Sequence, residues 1–439
     1  MAIIKINSDN PKFSYLMMKN PDTGLSIREY RNGNIFGYYS KNKNNQEYIT
    51  YFKDDEDEIS FKYNQDEEFE YNDNRRFNTP LFAQAVVNDF LRQFLSNKDI
   101  DGDEIGYDYT ITINQMYMFD PKYINLINKY YKEEFNISYE ELSWRNYRII
   151  INTNKSTFKR CVNMLYMISI FYHCTNVKDI YIDECESEKH VKILNNLDAP
   201  YFIKYVIKSR TIRSSKLFYS KLKSEIDKTI NHGKFDIKYG DTHYQRSEYI
   251  LNTIQGDFKK PIIDIGCNNM KSYGVNLLKK LSTENTYYYG VDIDKDVLDY
   301  ANKNALKKEL DNLITYESIF DVVDDLKDKG DSYNVIFSEV FEHIKLKEDT
   351  KIIKYVLNNL NVNKMIITTP NKDFNKYYLF NDDDTRLDDH VFEMSKNEFM
   401  IYFNKLMMEF NSKYDYKFCD IGDIVNGFSA TQCVLITKK

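Results

Sequence analysis

"PIIDIGCNNMKSYG", residues 261–274, decides the reading of the C-terminal half of this chain. A short β-branched run reaches Asp264, Gly266 follows, and helix-like apolar spacing begins a few residues later. Doubly wound α/β folds hold cofactors with this layout of strand, carboxylate and glycine turn opening a helix. The next apolar run, "YYYGVDI" (287–293), ends with Asp292 placed to accept both hydroxyls of a ribose. Ser318, closing "LITYES" (313–318), completes the expected cofactor set of Asp264, Gly266, Asp292 and Ser318. A pyrophosphate would call for Gly-x-Gly-x-x-Gly, but Gly266 is followed by Cys267, Asn268, Asn269 and Met270. No Gly-Lys-Ser/Thr of a P-loop follows either, since Lys271-Ser272 is preceded by Met270. A ligand without a pyrophosphate, carrying an ammonium group on an amino-acid part, suits this loop better: S-adenosylmethionine rather than NAD.

Two further strand-like runs, "YNVIFS" (333–338) and "KMIITT" (364–369), extend the series to five. Helical stretches near 272–281, 295–310 and 347–360 lie between them, the alternation of an α/β sheet with crossover helices. "YDYKFCDI" and "TQCVLITK" near the C-terminus predict two more strands pairing at one edge.

The fourth strand runs into "SEVFEHIK". Glu339, Glu342 and His343 stand at i, i+3 and i+4, a spacing that one helical turn places on one side. A second patch, "RLDDHVFEMS", sets His390 after Asp388 and Asp389. Carboxylates with imidazoles favour Mg²⁺ or Mn²⁺ over a structural zinc. Both patches fall beyond strand ends, where ligands of such sheets bind. HExxH is absent, so a zincin protease has no direct motif.

The first 238 residues read as an α+β module of two lobes, 1–100 and 101–238, ahead of a 239–439 domain. Hairpins are expected at the start. "NTPLFAQAVVNDFLRQF" predicts a helix capped by Thr79 ahead of Pro80. "YDYTITI" alternates as a strand does. "CVNMLYMISIFYHC" (161–174) is apolar enough for a buried strand or helix, and periodicity does not separate the two. Lys53–Glu70 carries nine carboxylates against two lysines, a solvated hairpin edge or a protein-docking surface that repels phosphates. From Tyr201 to Lys223 seven Lys or Arg occur with no acid, interleaved with aromatics: a solvated helix face or a phosphate-contacting surface.

Composition bounds the rest. The 60 basic and 67 acidic residues among 439 give a net charge of −7, which excludes a uniformly basic coat but not a local one. Six cysteines without a CxxC pair argue against a disulfide scaffold or a Cys-rich zinc site. No 18-residue apolar run and no signal segment are present, so a cytoplasmic, membrane-free protein is expected.

The segments "SEVFEH" (338–343), "TTPNKDFN" (368–375), "RLDDHVFEMSKNEF" (386–399) and "HYQRSEYILNTI" (243–254) resemble the Hen1-type RNA 3′-terminal ribose 2′-O-methyltransferases. "FSYLMMKNP" (13–21), "YNDNRRFNTPLFAQAV" (71–86) and "YIDECESEKHVKILNNL" (181–197) resemble the N-terminal module of the bacterial RNA-repair form. The resemblance implies a Rossmann-like S-adenosylmethionine-dependent methyltransferase domain at the C-terminus. It also implies Mg²⁺ or Mn²⁺ held by Glu339, Glu342, His343 and His390 against the hydroxyls of the last ribose. The implied substrate is an RNA 3′ end, with cleaved tRNA as the physiological form. The implied partner is a polynucleotide kinase-phosphatase-ligase, docked by the N-terminal module. Three positions depart from the family pattern: the second glycine of the cofactor loop is missing, Leu387 replaces a common histidine, and Met394 replaces a common tryptophan. The competing readings are a small-molecule or protein methyltransferase, a metal-dependent hydrolase, and a non-enzymatic docking scaffold.

Overall fold

The computed structural model describes residues 3–30, 33–40, 46–54, 78–96, 98–176, 184–211, 235–270, 273–378 and 385–439. The chain divides into two compact units, 1–229 and 230–439.

In the first unit seven strands form one antiparallel sheet: β1 (Ile3–Ser8), β2 (Ser26–Glu29), β3 (Gly33–Tyr39), β4 (Glu47–Asp54), β5 (Tyr109–Tyr117), β6 (Asn136–Ser143) and β7 (Asn146–Thr153). Their order is β2-β3-β4-β1-β5-β7-β6. Two lobes divided near residue 100 are therefore not what forms. β1 pairs with β5 as well as β4, setting Ile4 opposite Ile113, so the sheet runs through the expected divide.

Helices α1 (Phe13–Met17), α2 (Pro80–Asp89), α3 (Lys122–Tyr131), α4 (Phe158–Asn176), α5 (Glu184–Asn196) and α6 (Tyr201–Thr211) complete the described part of this unit. Phe13 and Leu16, in the opening stretch where hairpins are expected, lie instead in α1. Thr79 caps α2 as expected, its Oγ1 accepting from the Leu81 N–H at 3.4 Å, with Pro80 in the first turn. The ambiguous run 161–174 is helical, inside the 19-residue α4. That helix is buried from Cys161 to Cys174 on every side, so no polar stripe marks its period in the sequence. Among the described residues no helix is long and apolar enough to cross a membrane.

The structure covers the two charge patterns only in part. Nearly all of the acidic run at 53–70 lies outside the described residues, as does the basic stretch beyond Thr211. Within α6, Lys204 is buried and burial lowers its pKa, which does not suit a phosphate contact. Phe202, one of the aromatics interleaved with the basic residues, is buried against Phe171.

The second unit holds an eight-stranded sheet of β8 (Phe235–Asp236), β9 (Ile262–Ile265), β10 (Tyr288–Val291), β11 (Leu313–Tyr316), β12 (Ser332–Ser338), β13 (Asn361–Pro370), β14 (Tyr414–Val425) and β15 (Phe428–Lys438). The order is β11-β10-β9-β12-β13-β15-β14-β8, with β9 to β13 parallel. All five predicted strands of the α/β alternation are present. The two predicted C-terminal strands pair with each other, but they are not the edge: β8 adds to β14, with Phe235 opposite Val425. That pairing draws residues 235–236 into the second unit, whose boundary falls at 229/230 instead of 238/239.

Helices α7 (Thr242–Ile254), α8 (Gly274–Thr283), α9 (Lys295–Leu306), α10 (Ile319–Leu326), α11 (Leu346–Asn359) and α12 (Lys396–Met407) surround this sheet. Asp294 caps α9, and Ser395 with Glu398 forms a reciprocal capping box at α12. The strand order reverses at β9, with β10 on one side and β12 on the other. A crevice opens outside the carboxyl ends of strands at such a reversal.

Candidate functional site

Strand β12 delivers Ser338 to that crevice, and the chain then turns sharply. Glu339 has φ +55°, a left-handed angle that is costly for a residue with a Cβ. Three contacts hold it there. Its N–H donates to the Thr368 carbonyl at 3.0 Å, and Thr368 Oγ1 donates to its Oε1 at 3.1 Å. Arg246 of α7 pairs with its Oε2 at 3.0 Å. A single 3₁₀ turn, Phe341–His343, follows in place of the helical turn that the spacing predicted. Phe341 anchors this turn against the rings of Phe392, Phe399, Tyr402 and Phe403.

The anchored turn points Glu342 inward, 1% exposed, where Thr369 Oγ1 donates to its Oε2 at 3.0 Å. Burial pushes the Glu342 carboxyl well above its ordinary range, and the Glu339 charge adds to the effect. The Glu342 carbonyl accepts from Val391 N–H at 2.8 Å, which ties the 385–393 loop to the turn. His390 thereby meets His343 edge to face, with ring centroids 4.8 Å apart. Ligand atoms of Glu342, His343 and His390 all lie within 4.8 Å of one another. Three of the four expected metal ligands are thus brought together. Glu339, the fourth, lies beside them with its carboxylate on Arg246 and Thr368.

Behind the histidines stand carboxylates. Glu393 Oε1 is 2.5 Å from His390 Nδ1, and Asp389 Oδ2 is 3.4 Å from His343 Nδ1. Glu393 is in turn held by Asn375 Nδ2 at 2.5 Å and by the Arg386 N–H at 2.8 Å. Arg386 also donates through Nε to Asn375 Oδ1 and through Nη2 to the Asn371 carbonyl. The sequence reading singled out neither Glu393 nor Arg246 as a site residue. Glu393 stands three residues after His390, and Arg246 lies in a segment already quoted, but nothing local in either segment tells what it meets. Met394, the departure from tryptophan, is buried in the core, and its carbonyl accepts from Lys372 N–H and Gln432 Nε2. Leu387 is largely exposed.

The cofactor-type loop lies next to this turn. Gly266 has φ +72°, and a Cβ there would overlap Val340 Cγ2, so the loops after β9 and β12 approach at a point that admits only glycine. In the loop without a second glycine, Asn268 takes φ +48°, and asparagine tolerates the left-handed region. Asp292 Oδ2 accepts from the Asn268 N–H at 2.9 Å, so the carboxylate expected to meet a ribose also braces this loop. Asp264 is buried with Tyr273 and Tyr288 hydroxyls donating to it at 3.1 and 2.5 Å. Burial pushes its carboxyl up to about 7 against those two hydrogen bonds, with the Asp292 charge a smaller contribution upward. Ser318 caps α10, its Oγ accepting from the Phe320 N–H at 3.2 Å.

Residues 3–231, more than half of the chain, match the family described as the Hen1 N-terminal domain. The chain belongs to the Hen1 family. Residues 257–420 match a methyltransferase domain, which covers both the glycine loop and the Glu342–His343–His390 group. A small RNA 2′-O-methyltransferase of Tetrahymena thermophila is 28% identical over 220 residues, 44% of this chain and 49% of that protein. One from Schizosaccharomyces pombe is 25% identical over 212 residues, 43% of this chain and 55% of its own length. The chain therefore spans about half the length of the curated relatives it matches. A chain in the solved Pnkp1/Rnl/Hen1 RNA repair complex superposes with a TM-score of 0.77 at 27% identity, covering 99% of this chain and 100% of that one. The Rossmann-like methyltransferase domain preceded by a Hen1 N-terminal module is the architecture expected from sequence.

Proposed function

We propose that this Hen1 family member transfers a methyl group from S-adenosylmethionine to the 2′-oxygen of the 3′-terminal ribose of RNA, with help from Mg²⁺ or Mn²⁺. The observation that carries the reading is the convergence of Glu342, His343 and His390 beside a glycine loop closed on Val340. The names of the relatives favour an RNA 2′-oxygen as acceptor.

The donor set fits a divalent cation. Glu342 is a buried carboxylate facing the Glu339 charge, and a cation would offset both its burial and that repulsion. In the tautomer with Nδ1 protonated toward Glu393 and Asp389, each histidine carries its lone pair on Nε2. Glu342, His343 and His390 would hold the ion, with Glu339 next to them. When bound, it would lower the pKa of the terminal ribose hydroxyls and fix their direction. S-adenosylmethionine would supply the electrophilic methyl group.

The chain's own residues do the rest. Asp292 offers a carboxylate to the cofactor ribose, and Gly266 lets the loop after β9 close on Val340 beside the metal-type group. The ribose 2′-oxygen attacks the methyl carbon in line as the carbon–sulfur bond breaks and S-adenosylhomocysteine leaves, and the hydroxyl proton passes to solvent. Holding the acceptor and methyl group at this edge supplies orientation. Engagement of both terminal hydroxyls explains selectivity for an RNA end, because an internal ribose has its 3′-oxygen in a phosphodiester. By extension from the repair-complex relative, the 1–229 unit is proposed to dock a kinase-phosphatase-ligase partner, and the physiological substrate is proposed to be cleaved RNA in the cytoplasm.

Labelled S-adenosylmethionine with two RNAs differing only in a 2′-hydroxyl or 2′-deoxy terminal nucleotide tests this directly. Methylation of the ribose end alone, lost on chelation and restored by Mn²⁺, is expected. Equal labelling of the deoxy end, or full activity after exhaustive chelation, sinks the proposal.

A further inference from the structure

We propose that Cys419 and Cys433 form a peroxide-responsive dithiol that closes to a disulfide between β14 and β15. This does not rest on the methyl-transfer reading. The two cysteines are direct cross-strand partners in the antiparallel ladder. Residues so paired have Cα atoms roughly 4.5–5.5 Å apart, within the span that a disulfide bridges. Their side chains leave the sheet on one face, in the cluster that also holds Tyr249 of α7.

Their surroundings divide the labour. Cys433 is fully buried, and burial keeps its thiol well above the ordinary range, so it remains a protonated neighbour. Cys419 is half-buried in the wall of an open cavity of about 540 Å³, flanked by Tyr249, Lys364 and Lys417. The adjoining Cys433 thiol pulls the Cys419 thiol down to about 6 against its burial, and Tyr249 and the Lys417 charge assist. The other shifted thiols go the opposite way: burial pushes Cys161 and Cys267 up. A half-buried low-pKa thiol opening on a cavity, beside a second thiol, is the arrangement of a redox-sensing cysteine with its resolving partner.

The chemistry balances with hydrogen peroxide as the oxidant. Cys419 thiolate attacks one peroxide oxygen, the O–O bond breaks and hydroxide leaves, giving a sulfenic acid. Cys433 sulfur then attacks Cys419 sulfur while its proton passes to the departing hydroxide, so the S–O bond breaks and water leaves. Two thiols are oxidised by two electrons, and one peroxide becomes two waters.

The test treats full-length protein with stoichiometric peroxide at pH 7, blocks remaining thiols with N-ethylmaleimide and maps peptides by mass spectrometry. The expected first product is a 419–433 cross-link reversed by dithiothreitol, with exposed Cys185 still reduced. Cys433→Ala should raise trapping of Cys419 sulfenic acid by dimedone about tenfold, since the resolving sulfur is gone. Cys419→Ser should leave Cys433 unreacted. The wild-type arm stands even if a variant folds poorly. Oxidation of Cys185 while Cys419 stays reduced would overturn the proposal, as would a Cys419 sulfinic acid formed with no cross-link.

Discussion

In the sheet of residues 1–229, β1 alternates half-buried and buried residues along its length, whereas β9 and β10 of the second unit are buried at every position. The difference follows from connectivity. Antiparallel strands can keep one face toward solvent, but parallel strands need crossover helices that cover both faces. A sheet covered twice has only its strand ends left for polar chemistry. The loops after β9, β10, β12 and β13 accordingly meet at one edge, and there stand Gly266, Asp292, Glu342 and Thr369. Among the described residues, the metal-type cluster of Glu342, His343 and His390 belongs to the second unit and none is found in the first.

The sharpest way to break this comparison is to remove the clustered groups. Glu342→Ala, His343→Ala and His390→Ala should each cut methyl transfer by at least about 100-fold, because an incomplete ligand set cannot orient the acceptor. Glu140→Ala, which removes an exposed ion pair with Arg148 on the β6–β7 hairpin, should leave the rate unchanged. Both are read with labelled S-adenosylmethionine, and a normal rate in any of the three cluster variants would sink the assignment.

Smaller effects sharpen the division within the edge itself. Asp292→Ala should weaken S-adenosylmethionine binding by about 1.5–3 kcal/mol, through lost hydrogen bonds to a charged acceptor. Calorimetry checks this, and unchanged affinity would move the ribose contact elsewhere. Glu393→Ala should lower Mn²⁺ affinity by roughly 10–100-fold through the orientation of His390. Equilibrium titration with Mn²⁺ reads it, and an Asp388→Ala control should change less.

A further prediction concerns a buried charge with no part in the edge. Asp349 in α11 is fully buried, neither oxygen has a hydrogen-bond partner, and burial, with a smaller contribution from Glu348, pushes its carboxyl up to about 8. A folded-state value above the unfolded one means stability is greatest at low pH and is lost as pH rises from roughly 4 through 8. Asp349→Asn should therefore help more at pH 8 than at pH 5, by about 2–4 °C in Tm per kcal/mol. An equal shift at both pH values would show that ionisation is not what costs stability there. The smallest expected change is none: the 230–439 unit, expressed alone, should fold and methylate within about threefold of the full chain. A folded but inactive fragment would show that the first unit contributes to the chemistry.

Local pattern was enough to reveal the α/β alternation, the glycine loop, the two histidine patches and the Thr79 cap. Each depends on neighbours within a few residues, and the residue types carry their own conformational and chemical preferences. Local pattern also misled where one spacing fits two geometries. The i, i+3, i+4 set of Glu339, Glu342 and His343 suggested a helical turn with all three side chains together. A left-handed Glu339 and a 3₁₀ turn instead send Glu339 to Arg246 and turn Glu342 inward.

What the sequence determined by itself was the inventory: which short-range elements form, and which side chains capable of holding a cofactor or cation stand at strand ends. The tertiary structure alone decided which of them meet. Arg246 reaches Glu339 across 93 positions of chain, Val391 ties to Glu342 across 49, and β1 joins β5 across a hundred residues to merge two expected lobes. Helix α4 shows the same division, since a segment buried on every side displays no period until its neighbours are in place. Contacts between distant segments depend on which backbone groups remain unpaired and which surfaces remain uncovered once the local elements exist, and no window of neighbouring residues records that.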